Sequence, residues 1–126
     1  NLYGVTLDVE VNTSIPLIDC EPNQLKQLFI NIIKNSIEAS ANYVTVTVGM
    51  ANNQSIDITF KDNGCGIDED RLQHLGEPFY SMKEKGTGLG LTVSYRIVEF
   101  HKGKISFKSV VNKGTEVNVL LPTTKP

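Results

Sequence analysis

The sequence predicts an α+β fold, a two-layer α/β sandwich in which a mixed sheet carries its helices on one face. Three observations predict it. Five segments alternate apolar and polar residues as half-buried strands do, four of these fall into two hairpins, and two stretches of helical spacing lie outside the hairpins. At 126 residues the chain fits one domain around a single core.

The elements follow in order. VTLDVEV (5–11) alternates and reads as a strand, and SIPLIDC is a short second extended piece. EPNQLKQLFINIIKNSIEAS (21–40) is the clearest helix: Pro22 suits a first turn, and Leu25, Leu28, Phe29, Ile32 and Ser36 recur along one stripe. YVTVTVGM and SIDITFKD alternate around ANNQ as a hairpin. DNGCGIDED follows, then a stretch of mixed polarity from Arg71 to Thr87. A second helix is expected over Leu89 to His101, with Gly103 placed to stop it. KISFKSV and TEVNVLLP around NKG form the last hairpin. No internal repeat or low-complexity linker is present.

Bulk properties narrow the function classes. A hydrophobic fraction of 40% and a charged fraction of 21% are ordinary for a globular chain. The net charge of −2 argues against a nucleic-acid partner, which usually needs a basic footprint. No apolar run approaches membrane-spanning length, and no signal-peptide pattern opens the chain. Cys20 and Cys65 stand far apart without a CxxC pattern or a histidine cluster, which favours reduced cysteines in the cytoplasm over a disulfide or zinc site. A start at Asn1 instead of Met is what a piece of a longer protein would show.

The chemistry-bearing residues lie in three places. On the first helix Gln27, Asn31, Lys34, Asn35 and Glu38 form a polar arc. A solvated face is the ordinary explanation, yet Asn is a poor helix former and here two stack at i and i+4 in mid-helix. Asn35 borders the apolar stripe and so needs a polar partner, and its amide oxygen is a hard, neutral donor of the kind Mg²⁺ accepts. DNGCGI follows a strand ending in Phe60. A turn accounts for Gly64 but leaves Gly66 unexplained, whereas a carboxylate at Asp62, walled by Ile67 and bare backbone, would accept a bond from an exocyclic amine such as that of adenine. Finally, Gly86, Gly88 and Gly90 open an apolar helix, where free N–H groups meet anions. Their G-x-G-x-G spacing matches neither the dinucleotide fingerprint nor the P-loop.

These pieces occur in a fixed order that resembles the catalytic and ATP-binding domain of sensor histidine kinases, in the wider GHKL family with Hsp90, DNA gyrase B and MutL. QLFINIIKNSIEA is similar to the N box of that family, DNGCGI to the G1 box, EPFYSMK to the F box, GTGLGL to the G2 box, and KGTEVNVLLP to the G3 region and closing strand. EPFYSMKEKGTGLGL is most similar to kinases of spore-forming Gram-positive bacteria.

The resemblance implies a Bergerat fold, ATP and Mg²⁺ as cofactors, and transfer of the γ-phosphoryl group to a histidine in two-component signalling. By it, Asn35 ligates Mg²⁺, and Asn31 assists at the phosphates with Lys34. Asp62 bonds the adenine amine, with Gly64, Gly66 and Ile67 around the base and Thr115 supporting Asp62 or a water. The segment from about His74 to Thr87 becomes a lid over ATP. Gly86, Thr87, Gly88, Leu89, Gly90 and Leu91 hold the phosphates, and Lys83 is the lid cation, with Lys85 second. It further implies that residues 1–126 form one catalytic domain whose phosphoacceptor histidine lies on a separate dimerisation domain. The fragment would be a monomer of a homodimeric whole, cytoplasmic in a protein that is membrane-anchored or not, acting on a response regulator indirectly.

Two positions depart from the family pattern. Ser81-Met82 stands where Thr-Thr is frequent in the F box, and Glu38 stands where many relatives carry Lys or Arg. A carboxylate cannot pair with a triphosphate, so that contact is either absent or taken by Lys34 or Lys83. Position 31 separates the alternatives within the family. ATP-hydrolysing clamps place a Glu there as general base; Asn31 cannot serve as one, which favours phosphotransfer over hydrolysis. The full F box and the form of the G2 box lean away from an anti-sigma-type serine kinase.

Overall fold

The computed structural model describes residues 4–11, 18, 20–52, 54–74 and 89–123, with the side chains of 89–91 left aside. Its elements are β1 (Thr6–Val11), α1 (Pro22–Glu38), β2 (Tyr43–Asn52), β3 (Ser55–Asp62), α2 (Glu69–His74), α3 (Leu89–Phe100), β4 (Lys104–Val110) and β5 (Gly114–Pro122). One five-stranded sheet has the order β1-β2-β3-β5-β4. β1 runs parallel to β2, joined through α1, and the remaining pairs are antiparallel, so the sheet is mixed as expected.

Alternation along the strands decides where the core lies. Val44 and Val46 on β2, Ile56, Ile58 and Phe60 on β3, and Val117, Val119 and Leu121 on β5 are all buried on one face. Leu28 and Ile32 of α1 and Ile97 and Val98 of α3 close that face in the same hydrophobic cluster. The phenyl rings of Phe29 and Phe60 meet at 5.7 Å between α1 and β3. Each fully buried aliphatic side chain contributes ~1.5–3 kcal/mol relative to exposure, so this face holds most of the stability. Thr45, Thr47, Thr59, Lys61 and Asn118 lie on the other face of the pleat.

Two local readings are revised. Residues 69–74 form the short helix α2, where the sequence reading has only mixed polarity from Arg71 onward; Asp68 caps it by accepting the Arg71 N–H at 2.8 Å. α3 turns into the left-handed region at Lys102, φ +59°, and not at Gly103. Gly103 is needed for another reason: a Cβ there would run into the Leu120 carbonyl. His101, just past the end of α3, is buried, its exposure only 8%. Its Nδ1–H donates to the Ile97 carbonyl at 2.7 Å, while Nε2 accepts the Glu21 N–H at 3.0 Å. Glu21 is the N-cap of α1, so this ring joins the end of α3 to the start of α1. The extended piece expected at SIPLIDC falls largely outside the described residues.

Candidate functional site

The core face turns polar at one end. Two residues beyond Phe60 on β3 comes Asp62, two before Val117 on β5 comes Thr115, and two beyond Phe107 on β4 comes Ser109. Period-two alternation puts all three on the helix-facing side, in a row across adjacent strands, with Ser109 and Thr115 directly paired. α1 closes over them, and a cleft opens that is lined by Asn35, Ser36, Asp62, Ile67, Ser94 and Thr115 above a floor of Ile105, Phe107 and Val117.

Asp62 is the most constrained group in this cleft, 9% exposed. Oδ1 accepts the backbone N–H of Gly64 at 2.9 Å and that of Thr115 at 3.2 Å. Oδ2 accepts the Ser36 hydroxyl at 2.7 Å. A carboxylate offers about four lone-pair positions, two on each oxygen. Both on Oδ1 are taken by these bonds and one on Oδ2 is taken, so Oδ2 retains one acceptor position beside the cleft. Such an arrangement receives a single N–H and opposes a carbonyl oxygen.

Ser36 lines the cleft and bonds Asp62, although the sequence reading assigned it to the apolar stripe of α1. A hydroxyl at a core-facing position is itself a signal, because a buried polar group calls for a partner. Ser109 was missed as well, although it continues the inward parity of Ile105 and Phe107. Its Oγ accepts the Ile67 N–H at 2.7 Å and lies 3.0 Å from the Gly114 carbonyl and 2.8 Å from Thr115 Oγ1.

The loop after Asp62 is clamped from both sides. The Cys65 N–H donates to the Ala39 carbonyl at the end of α1, and the Cys65 carbonyl accepts the Asn112 N–H from the β4–β5 turn. Gly64 is buried against Ala39. Gly66, which a turn alone left unexplained, has φ +77° and no room for a side chain, since a Cβ would meet the Val110 carbonyl. Its requirement is therefore met by the protein's own backbone, whatever ligand the cleft takes.

On α1, Asn35 lines the cleft beside Ser36, and Asn31 accepts the Gln27 side-chain amide at 2.8 Å. Lys34 and Glu38 are exposed on the same helix. No cluster of three or more His, Cys, Asp or Glu residues suited to a metal occurs among the described residues. A divalent ion here would rely on an amide oxygen and on ligand oxygens, the pattern Mg²⁺ tolerates well. α3 begins at Leu89 with Gly90 in its first turn. Lys83, Lys85, Gly86, Thr87 and Gly88 lie outside the described residues, as do the side chains of Leu89 and Leu91. Among the described residues no helix is long and apolar enough to cross a membrane.

Comparison with known proteins agrees with this architecture. The catalytic domain of histidine kinase ThkA, in a nucleotide-free form, superposes with a TM-score of 0.83 at 24% identity over 97% of this chain and 82% of that one. Full-length ShkA, in complex with AMPPNP, gives 0.85 at 22% identity over 97% of this chain and 26% of its own. Both share the fold. Sporulation kinase E of Bacillus subtilis (strain 168) is 48% identical over 124 residues, 97% of this chain and 17% of the relative. Sporulation kinase B of the same organism is 44% identical over 132 aligned positions, covering all of this chain and 30% of the relative. The chain thus spans less than a third of these curated relatives. The family model described as histidine kinase-, DNA gyrase B- and HSP90-like ATPase matches residues 20–125, from the N-cap of α1 through the closing strand, and the chain belongs to that family.

Proposed function

We propose that this chain is the ATP-binding catalytic domain of a two-component sensor histidine kinase. It would hold Mg·ATP and deliver the γ-phosphoryl group to a histidine on a dimerisation domain outside residues 1–126. The observation that carries the reading is Asp62: a buried carboxylate with one open acceptor position on Oδ2, facing a cleft whose floor is apolar. That combination suits a flat heterocycle bearing an exocyclic amine. Family membership and the kinase relatives support ATP as the ligand and phosphotransfer as the activity.

The residues divide the work. Asp62 accepts the adenine amine, Ser36 and the Gly64 N–H hold that carboxylate still, and Ile67 bounds the base. Asn35 supplies an amide oxygen to Mg²⁺, which neutralises phosphate charge when bound. Lys34 stands one position before Asn35 and, with Lys83 and Lys85 of the lid, is a cation for the phosphates. The glycines of the loop before α3 present N–H groups to the same anion. Catalysis is then mostly positioning and charge neutralisation. Asn31, engaged by Gln27, brings an amide where a hydrolase needs a carboxylate, so water is poorly activated and the protein histidine is the acceptor. The full-length protein would be a homodimer with this domain in the cytoplasm, reaching a response regulator through the phosphohistidine. The sporulation kinases among its relatives favour a role in sporulation signalling.

The test is calorimetry of Mg·ATP, Mg·ADP and Mg·GTP on the chain and on Asp62→Asn. Adenine nucleotides are expected to bind at least tenfold more tightly than GTP, and Asp62→Asn to lose about 1.5–3 kcal/mol, the scale of a hydrogen bond to a charged group. Equal affinity for ATP and GTP defeats the assignment. Labelled phosphate from ATP appearing on a separately expressed dimerisation domain tests the transfer itself.

A further inference from the structure

Ser109 Oγ has three partners within hydrogen-bond distance, the Ile67 N–H at 2.7 Å, the Gly114 carbonyl at 3.0 Å and Thr115 Oγ1 at 2.8 Å. A hydroxyl has one proton and two lone pairs. The Ile67 N–H occupies one lone pair. The Gly114 carbonyl has no proton to give, so its contact uses the proton of Ser109. What remains for Thr115 is the second lone pair, and Thr115 must therefore be the donor in the hydroxyl pair. Its own proton is then committed to Ser109, and Thr115 Oγ1 offers only acceptor lone pairs on its remaining side. Asp62, to which the Thr115 N–H donates, is also an acceptor.

We infer that Ser109 is a positioning residue that sets the direction of the Thr115 hydroxyl and thereby makes the polar wall of the cleft acceptor-only. The inference rests on the nucleotide reading above and deepens it. The wall then matches the 6-amine of adenine and sets acceptors at both Asp62 and Thr115 against the oxygen of a 6-oxo purine, whose N1–H is the one donor beside it. Ser109 touches no ligand in this scheme; it acts through Thr115.

The experiment measures Mg·ATP and Mg·ITP affinities for the wild type, Ser109→Ala, Ser109→Thr and the double variant Ser109→Ala with Thr115→Val. Removing the Ser109 oxygen frees the Thr115 proton to turn into the cleft and meet a 6-oxo group. The ATP:ITP affinity ratio should narrow at least fivefold in Ser109→Ala, the scale of one neutral hydrogen bond. Ser109→Thr retains the hydroxyl and should retain the ratio. With Thr115→Val added there is no hydroxyl to turn, and the narrowing should disappear. A merely structural role would lower both affinities by one factor, and an unchanged ratio in folded Ser109→Ala overturns the inference while leaving the nucleotide reading intact. A wild type that binds ATP and ITP equally defeats both. Should Ser109→Ala fail to fold, Ser109→Cys, with a thiol that is a poor acceptor, is held to the same ratio.

Discussion

Ser36 and Asp62, 26 positions apart in sequence, meet at 2.7 Å and join the buried side of α1 to the last residue of β3. The bond is short, buried and made to a carboxylate, the class that contributes most. It also explains why a polar residue occupies a core-facing turn of an otherwise apolar stripe.

Ser36→Ala should therefore destabilise the ligand-free chain by about 1.5–3 kcal/mol. Urea unfolding would show a lower midpoint with an unchanged slope. A loss below about 0.5 kcal/mol, within the range of ordinary surface substitutions, would mean that the bond carries little.

Gly66→Ala should damage folding before it damages binding. The position has φ +77° and a Cβ would meet the Val110 carbonyl, so both strain and overlap oppose the methyl. A fall in the ligand-free melting temperature of at least several degrees is expected, from a cost of roughly 1–3 kcal/mol. An unaltered melting curve with lost ATP binding would instead return Gly66 to the ligand.

His101 should not become phosphorylated. Both ring nitrogens are engaged, with Ile97 and with Glu21, and the residue is buried. Incubation with Mg·ATP followed by mass spectrometry is expected to find no phosphohistidine at this position. His101→Ala should cost about 1–3 kcal/mol, since the Glu21 N–H loses its acceptor. Its effect on ATP affinity in the folded protein should be small, because the ring lies at the α1 N-terminus and Asn35 near the other end of that helix.

Asn31→Glu should raise ATP hydrolysis. The Gln27 amide that now donates to Asn31 can donate equally to a carboxylate, so the substitution keeps its local partner. Phosphate release is expected to be slow in the wild type and roughly tenfold or more faster in the variant, the low end of general-base effects. Wild-type turnover already near 1–10 s⁻¹, ordinary for an enzyme, would favour a hydrolysing clamp.

Much of the fold was legible because alternation and helical spacing are local. The two hairpins, both long helices and the single helix-bearing face followed from apolar spacing together with turn and cap residues such as Pro22 and the ANNQ and NKG stretches. Asp62 was legible as a carboxylate at a strand end. Thr115 was legible beside it through the family resemblance, but Ser36, which holds Asp62 from α1, and Ser109, which meets Thr115 from β4, were not, because only the tertiary fold brings them there. The partner of His101 was not legible for a similar reason: the N–H it accepts belongs to Glu21, 80 positions away. Gly66 looked like a ligand contact because its neighbour, the Val110 carbonyl, lies on a distant turn.

The floor of the cleft is made of core side chains. Phe107 and Val117 pack with the main hydrophobic cluster and also face the opening. A flat ring lying on them acts as a further layer of the protein interior, supplied from solution. Ligand concentration then becomes a folding variable: at a hundred times the dissociation constant, one bound nucleotide adds about 2.7 kcal/mol to the unfolding free energy. Substitutions anywhere in α1, β4 or β5 that leave the empty chain only marginally folded would thus be masked while nucleotide is plentiful and exposed when it runs short. Resistance to proteolysis would report the adenine-nucleotide level of the surroundings without any catalytic turnover.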